Sequence, residues 1–200
     1  MILKNGSNNT EKAPNIEDGS YPGYVIRIID IGMQEKTDYK TGESVGQRPT
    51  VEVTFELPTE LMEYHGEQKP RWLSKEYIYS ISQKGNVYIN EKSGLAELIK
   101  SCGKATGEFE HDSFYDIRKL LGETCLVNVG TTSGGNDKVT STTKLPKGFP
   151  QLPEPSKEPK CFDLDEPDME MYDSLPQWMR DKIGLDVVED TIDPDDDIPF

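Results

Sequence analysis

The sequence predicts a mainly β protein, because short apolar segments with strand periodicity, separated by turn signals, occupy most of its length. The clearest segment is residues 50–57, where Val51, Val53, Phe55 and Leu57 alternate with polar residues. Only a few segments have helical spacing, and strands do not alternate with helices. A parallel α/β sheet is therefore not expected.

Three strands come first in the predicted order. Residues 23–33 are rich in β-branched side chains, residues 50–57 alternate up to Pro58, and residues 71–82 form the third strand. The polar stretch between the first two strands predicts a long hairpin loop.

Two helices are predicted next. In the first, Ser93 is a suitable N-cap and apolar residues follow at helical spacing before Gly103. A second, shorter helix is expected over residues 114–121, ended by Gly122.

Two more strands complete the pattern, at residues 124–132 and 138–145, joined by a turn at 133–137. Three strands, a helix and two strands are typical of the OB-fold, a five-stranded Greek-key barrel with a helix between strands 3 and 4. An immunoglobulin-like sandwich fits less well, because it needs about seven strands and has no central helix.

The domain organisation follows from changes in composition. We expect a flexible arm at 1–19, the OB-fold domain at 20–148, a Pro-rich linker at 149–161 and a disordered acidic tail at 162–200. Within the tail, a short helix is expected near 174–183. So short a helix is marginal alone in water, so it should dock on its own body, on a neighbouring molecule or on a partner.

The charge distribution bears on the choice of partner. The chain has a net charge of −15, and the segment from Phe162 to Phe200 holds 14 acidic and two basic residues, a net charge of −12. The remainder is close to neutral. The acidity of the whole chain therefore does not argue against nucleic-acid binding by its body.

Several classes of function lack support in the sequence. The nucleotide-binding patterns GxxxxGK[ST] and GxGxxG and the hydrolase pattern GxSxG are absent. The three cysteines have no CxxC spacing and the two histidines lie far apart, so neither a metal site nor a disulfide framework is indicated. We expect no enzyme activity and no cofactor.

The lengths of the apolar runs indicate the location of the protein. No run approaches the roughly 20 residues of a membrane helix, and the first residues lack a secretory signal. We therefore expect a cytoplasmic protein that does not contact membranes.

The third predicted strand carries the residues that suggest nucleic-acid binding. Arg71, Lys75, Tyr77 and Tyr79 are two residues or a multiple of two apart and so share one strand face. Cations neutralise phosphates, and each ring that stacks on an unpaired base contributes about 1–3 kcal/mol. The alternative for each tyrosine is core packing, which is common in strands.

The hairpin loops supply further candidates for DNA contact, since these two loops flank the binding face of an OB-fold. The candidates are Lys36, Tyr39 and Lys40 in the first loop, Arg48 at the entry to the second strand, Lys138 in the last hairpin and Lys144 further along the chain. For a single lysine such as Lys36, a solvated surface charge is the alternative. Trp72 should point to the opposite face from the four-residue stripe.

The last six residues are Asp195, Asp196, Asp197, Ile198, Pro199 and Phe200. This ending resembles the acidic tip of bacterial single-stranded DNA-binding proteins. The resemblance implies that Phe200 enters an apolar pocket on replication and repair proteins while its α-carboxylate meets a basic residue. The aspartates would steer the tip to a basic rim. The alternative is an acidic tail that only maintains solubility.

The body is similar in general pattern to the single-stranded DNA-binding proteins of tailed bacteriophages, with an OB-like domain followed by segments such as 162–165 and 175–178. This resemblance implies sequence-tolerant binding of single-stranded DNA, recruitment of replication, recombination and repair proteins, and action in a host cytoplasm. It does not imply the bacterial tetramer, and the oligomeric state stays open. The rival functions are a recombination mediator that anneals strands and an acidic DNA mimic.

Overall fold

The computed structural model describes residues 14–38, 40–64, 66–81, 87–102 and 116–185. A mainly β fold is confirmed. The strands are β1 (Gly19–Thr37), β2 (Ser44–Tyr64), β3 (Glu67–Ile78), β4 (Ser80–Ile81), β5 (Val87–Tyr88), β6 (Thr124–Thr131), β7 (Asp137–Thr143) and β8 (Lys160–Phe162). The helices are α1 (Gly94–Ser101), α2 (Met169–Ser174), α3 (Gln177–Ile183) and a 3-10 helix at Ile117–Leu120.

One antiparallel sheet organises the domain, with the strand order β3-β2-β1-β6-β7. The long strand β1 pairs with β6 up to Tyr24 and with β2 from Tyr24 onwards. Strand β8 adds to β1 in parallel, and β4 and β5 form a separate two-stranded sheet. The central position of β1 explains why its sequence is apolar over so long a run.

The two strands at the ends of this order, β3 and β7, lie next to each other. Among the described residues, no backbone hydrogen bonds pair them. Side chains join them instead. Arg71 Nη1 lies 2.7 Å from Asp137 Oδ2, and Lys75 Nζ donates to the carbonyl of Thr140 at 2.5 Å. The sheet is therefore curved and open where we expected a closed five-stranded barrel.

Strand β2 extends beyond the predicted end at Pro58. Proline cannot donate to a ladder, and the β2–β3 register shifts between Leu57 and Leu61. Pairing then resumes up to Tyr64. The prediction of a strand end was wrong because the break is a local irregularity within one long hairpin.

The first core lies between the inner face of the sheet and helix α1. Residues Val51, Val53, Phe55 and Leu57 of β2 are buried there, as their alternation predicts. Helix α1 is confirmed, with Ser93 as its N-cap accepting a hydrogen bond from the N–H of Ala96. Of the predicted helix at 114–121, residues 117–120 form the 3-10 helix and 114–115 lie outside the described residues.

The expectation of a disordered tail from residue 162 is wrong up to residue 185. A second core forms on the outer face of the sheet, where Ile29 and Ile31 of β1 are covered by C-terminal side chains. The physical reason is that β1 is apolar on both faces and therefore needs cover on both. The covering side chains are those of Phe162, Met171, Tyr172, Leu175 and Met179. Residues 186–200 lie outside the described residues.

The predicted linker also lies against the sheet. Ser156 donates to the carboxylate of Glu56 from its N–H at 2.8 Å and from its hydroxyl at 2.5 Å. The ammonium group of Lys157 lies 5.5 Å from the ring centroid of Trp72. We call residues 152–185 the C-terminal strap, because they cross the outer face of β1, β2 and β3. The short helix near 174–183 thus docks on its own body.

No helix within the described ranges is long and apolar enough to cross a membrane.

Candidate nucleic-acid interface

The predicted stripe on β3 lies on the inner face of the sheet. In the β2–β3 register Arg71 pairs with Leu57, Lys75 with Val53 and Tyr77 with Val51. Because these β2 partners belong to the first core, the stripe points towards the core and towards the opening between β3 and β7. Trp72, on the opposite face, contacts the strap.

Tyr77 is part of the first core and only 4% exposed. Burial is the largest of the effects that raise the pKa of its phenol, so the side chain stays neutral. A base has no access to this ring in the structure. In the structure Tyr77 therefore packs in the core, which was the alternative to base stacking at this position.

Arg71 is also buried, at 7% exposure. Besides its ion pair with Asp137, it donates from Nη2 to the carbonyl of Pro14 at 2.5 Å. The guanidinium therefore links β3, the start of β7 and the N-terminal segment. In this conformation it is not presented to a phosphate.

Lys75 occupies the opening between the two end strands. Its ammonium group contacts Thr140 and lies 5.3 Å from the ring centroid of Tyr77. Partial burial lowers its pKa, and the nearby Glu97 opposes that effect. The cation is thus partly withdrawn from solvent at the boundary of the first core.

Two predicted site residues, Arg48 and Tyr79, meet in one cleft at the base of the β1–β2 hairpin. We call this the hairpin cleft. Its lining residues are Met33, Gln47, Arg48, Pro49, Ile78, Tyr79 and Ser80. Met33 and Ile78 are 49% and 42% exposed, so the cleft offers apolar surface beside a guanidinium and an aromatic ring. Neither Met33 nor Ile78 could be identified from the sequence, because single apolar residues near strand ends form no pattern.

The ring of Tyr79 has a defined position in this cleft. Its hydroxyl lies 3.4 Å from Asp30 Oδ1 and its N–H donates to the carbonyl of Pro49 at 3.1 Å. Burial, followed by the nearby charge of Asp30, raises the pKa of Tyr79 to about 12. A neutral, half-buried ring is suited to apolar or stacking contact.

The other predicted cations are dispersed. Lys36 forms an ion pair with Glu76 at 2.5 Å, and Lys40 is exposed in the hairpin loop. Lys138 and Lys144 are exposed on β7 and just after it. Tyr39 and the predicted partner-binding tip, residues 195–200, lie outside the described residues.

The outer face of β2 and β3 is acidic and occupied. Glu56 is fully buried and accepts hydrogen bonds from the indole N–H of Trp72 at 2.8 Å and from Ser156. Glu52 lies 3.8 Å from Arg27, and burial raises its pKa. Glu76 binds both Lys36 and Lys182 of α3. Glu52 and Glu76 therefore hold cations of the chain itself, one of which, Lys182, belongs to the strap.

Among the side chains that the structure describes, no group of three or more His, Cys, Asp or Glu residues could hold a metal ion. No protein-family model matches the chain, and no curated protein matches it.

Proposed function

We propose that this protein binds single-stranded DNA with little sequence preference and recruits replication, recombination and repair proteins through its C-terminal tip. The observation that carries the proposal is the strand order. In an OB-fold the first strand pairs with both the second and the fourth strand, and the fifth strand lies beside the third. Strands β1, β2, β3, β6 and β7 have this arrangement, with α1 between the third and fourth of them.

The relative direction of the end strands supports the same assignment. Strands β3 and β7 run in the same direction, since each is separated from β1 by an even number of antiparallel steps. Side-chain bridges from Arg71 and Lys75 take the place of the last ladder. We therefore interpret the open sheet as an OB-fold whose third and fifth strands are joined by side chains.

The hairpin cleft is the proposed contact with the unpaired strand. Arg48 can neutralise a phosphate, and Tyr79, Met33 and Ile78 offer apolar and aromatic surface to a base. Phosphate neutralisation and stacking on a ring do not read base edges. Sequence-tolerant binding follows from that chemistry.

Recruitment rests on the resemblance of residues 195–200 to the bacterial tip. The terminal Phe200 is the proposed anchor and the aspartates supply steering charge. To test recruitment, the full chain and the Phe200→Ala variant are each titrated with a bacterial repair protein that binds the acidic tip of bacterial single-stranded DNA-binding proteins. Equal binding of the two chains would contradict it.

The carboxylates of β2 and β3 are not arranged as a DNA mimic would require. A mimic presents ordered carboxylates to solvent at phosphate-like spacing. On the outer face of β2 and β3, however, Glu52 and Glu56 are buried and Glu76 is ion-paired.

Replacing Arg48 by alanine is expected to weaken binding of an oligo-dT strand. Because one phosphate contact is lost, the plot of log K against log salt should become less steep by about 0.7. Fluorescence anisotropy over a salt series measures both quantities. Lys119→Ala is the matched control, since Lys119 is an exposed cation on the 3-10 helix outside the cleft. Identical slopes for the two variants would exclude Arg48 from the interface.

A further inference from the structure

The strap limits which surfaces of the domain single-stranded DNA can contact. In an OB-fold the outer face of strands 2 and 3 takes the ligand. Here that face is covered by the strap, which contacts Glu56 through Ser156 and Glu76 through Lys182. Bound DNA must therefore contact surfaces other than the centre of this face.

A second cleft lies on the other side of the domain, between α1 and β7. We call it the helix cleft. Its lining residues are Glu97, Lys100, Ser101, Ser141, Thr142, Thr143 and Lys144. Lys100, Lys144 and Thr143 are exposed around one carboxylate, whereas Ser101 and Thr142 are buried. Ammonium and hydroxyl groups are the side-chain donors that proteins commonly offer to phosphate oxygens.

The floor of the helix cleft is held by hydrogen bonds. Ser101 Oγ is 2.9 Å from the carbonyl of Thr142 and 2.7 Å from the carbonyl of Glu97. Thr142 Oγ1 is 3.3 Å from the Ser101 hydroxyl. Helix α1 is thus fixed to the edge of β7. Lys100, in the last turn of α1, and Lys144, just after β7, are both exposed at this junction.

The helix cleft and the hairpin cleft lie towards the same end of the sheet. Lys75 faces Thr140 across the opening between the parallel strands β3 and β7. Tyr79 comes four residues after Lys75, and Lys144 comes four residues after Thr140. Tyr79 and Lys144 therefore follow neighbouring positions of the parallel strands β3 and β7, towards the same end of both strands.

We propose that the helix cleft is a phosphate subsite for the same single strand, with Lys100 and Lys144 contacting its backbone. The inference rests on the proposed function and adds to it a surface outside the usual OB-fold ligand face. It also gives a role to α1 beyond closing the core. The subsite contributes affinity and no base preference, because it contacts the phosphate backbone and not the bases.

The test compares two full-length double variants that change the net charge equally. Lys100→Gln with Lys144→Gln removes both cations of the helix cleft. Lys119→Gln with Lys160→Gln removes two exposed cations outside both clefts. Binding of a labelled oligo-dT of about 30 nucleotides is measured by anisotropy over a salt series. Circular dichroism checks that both variants are folded.

Loss of two phosphate contacts should reduce the salt slope of the helix-cleft variant by about 1.4, while the control keeps the slope of the unmodified chain. Equal slopes for the two variants would overturn the subsite and leave single-strand binding in place. Absence of oligo-dT binding by the unmodified chain would refute the proposed function itself. The two failures are therefore distinguishable.

Discussion

Replacing Phe162 by alanine is expected to destabilise the domain by about 3–5 kcal/mol, the usual range for removing a buried phenyl ring. Phe162 is fully buried in the second core and stacks on Tyr172 with ring centroids 5.8 Å apart. It is also the last residue of β8, which pairs with Ile29. The substitution removes the packing that holds the strap against β1.

Urea unfolding followed by circular dichroism measures this effect. The matched control is Trp178→Ala, because Trp178 also belongs to the strap but is 57% exposed. That change should alter the unfolding free energy by less than about 1 kcal/mol. A Phe162 variant as stable as the Trp178 variant would show that the strap does not pack as part of the domain.

The second large effect is expected for Arg71→Ala. Arg71 and Asp137 form an ion pair whose side chains are both 8% exposed, so removing one partner leaves a buried carboxylate uncompensated. Breaking such a pair costs about 3–5 kcal/mol. The bond to the Pro14 carbonyl is lost as well. Under conditions where the variant stays folded, the salt slope of DNA binding should not change.

Lys69→Ala is the control for Arg71, since Lys69 pairs with Glu67 in solvent and both side chains are exposed. Exposed pairs contribute about 0–1 kcal/mol. The Arg71 variant could instead keep full stability and show a less steep salt slope of DNA binding. That result would support Arg71 as a phosphate ligand, as the sequence alone suggested.

The inner faces of the strands could be predicted from the sequence because alternation is a local signal. Residues 51–57 and the N-cap at Ser93 show this. The strap could not be predicted in the same way. Its acidic residues dominate the composition of 162–185, whereas its packing depends on a few apolar side chains that meet Ile29 and Ile31 only after β1 has joined the sheet.

The candidate site was predicted in part. Alternation correctly placed Arg71, Lys75 and Tyr77 on one face, yet it could not say which face was the interior. That choice depends on which side α1 covers. The pairing of Arg48 with Tyr79 arises from the register of β1, β2 and β3, which brings residues some thirty positions apart into one cleft.

The most direct test of the central claim is equilibrium binding of the full chain to a labelled oligo-dT of about 30 nucleotides, with the matching duplex alongside. We predict tighter binding to the single strand and a steep loss of affinity as salt rises, because phosphate contacts release counterions. Equal affinity for both nucleic acids, or no binding to the single strand at low salt, would contradict the account.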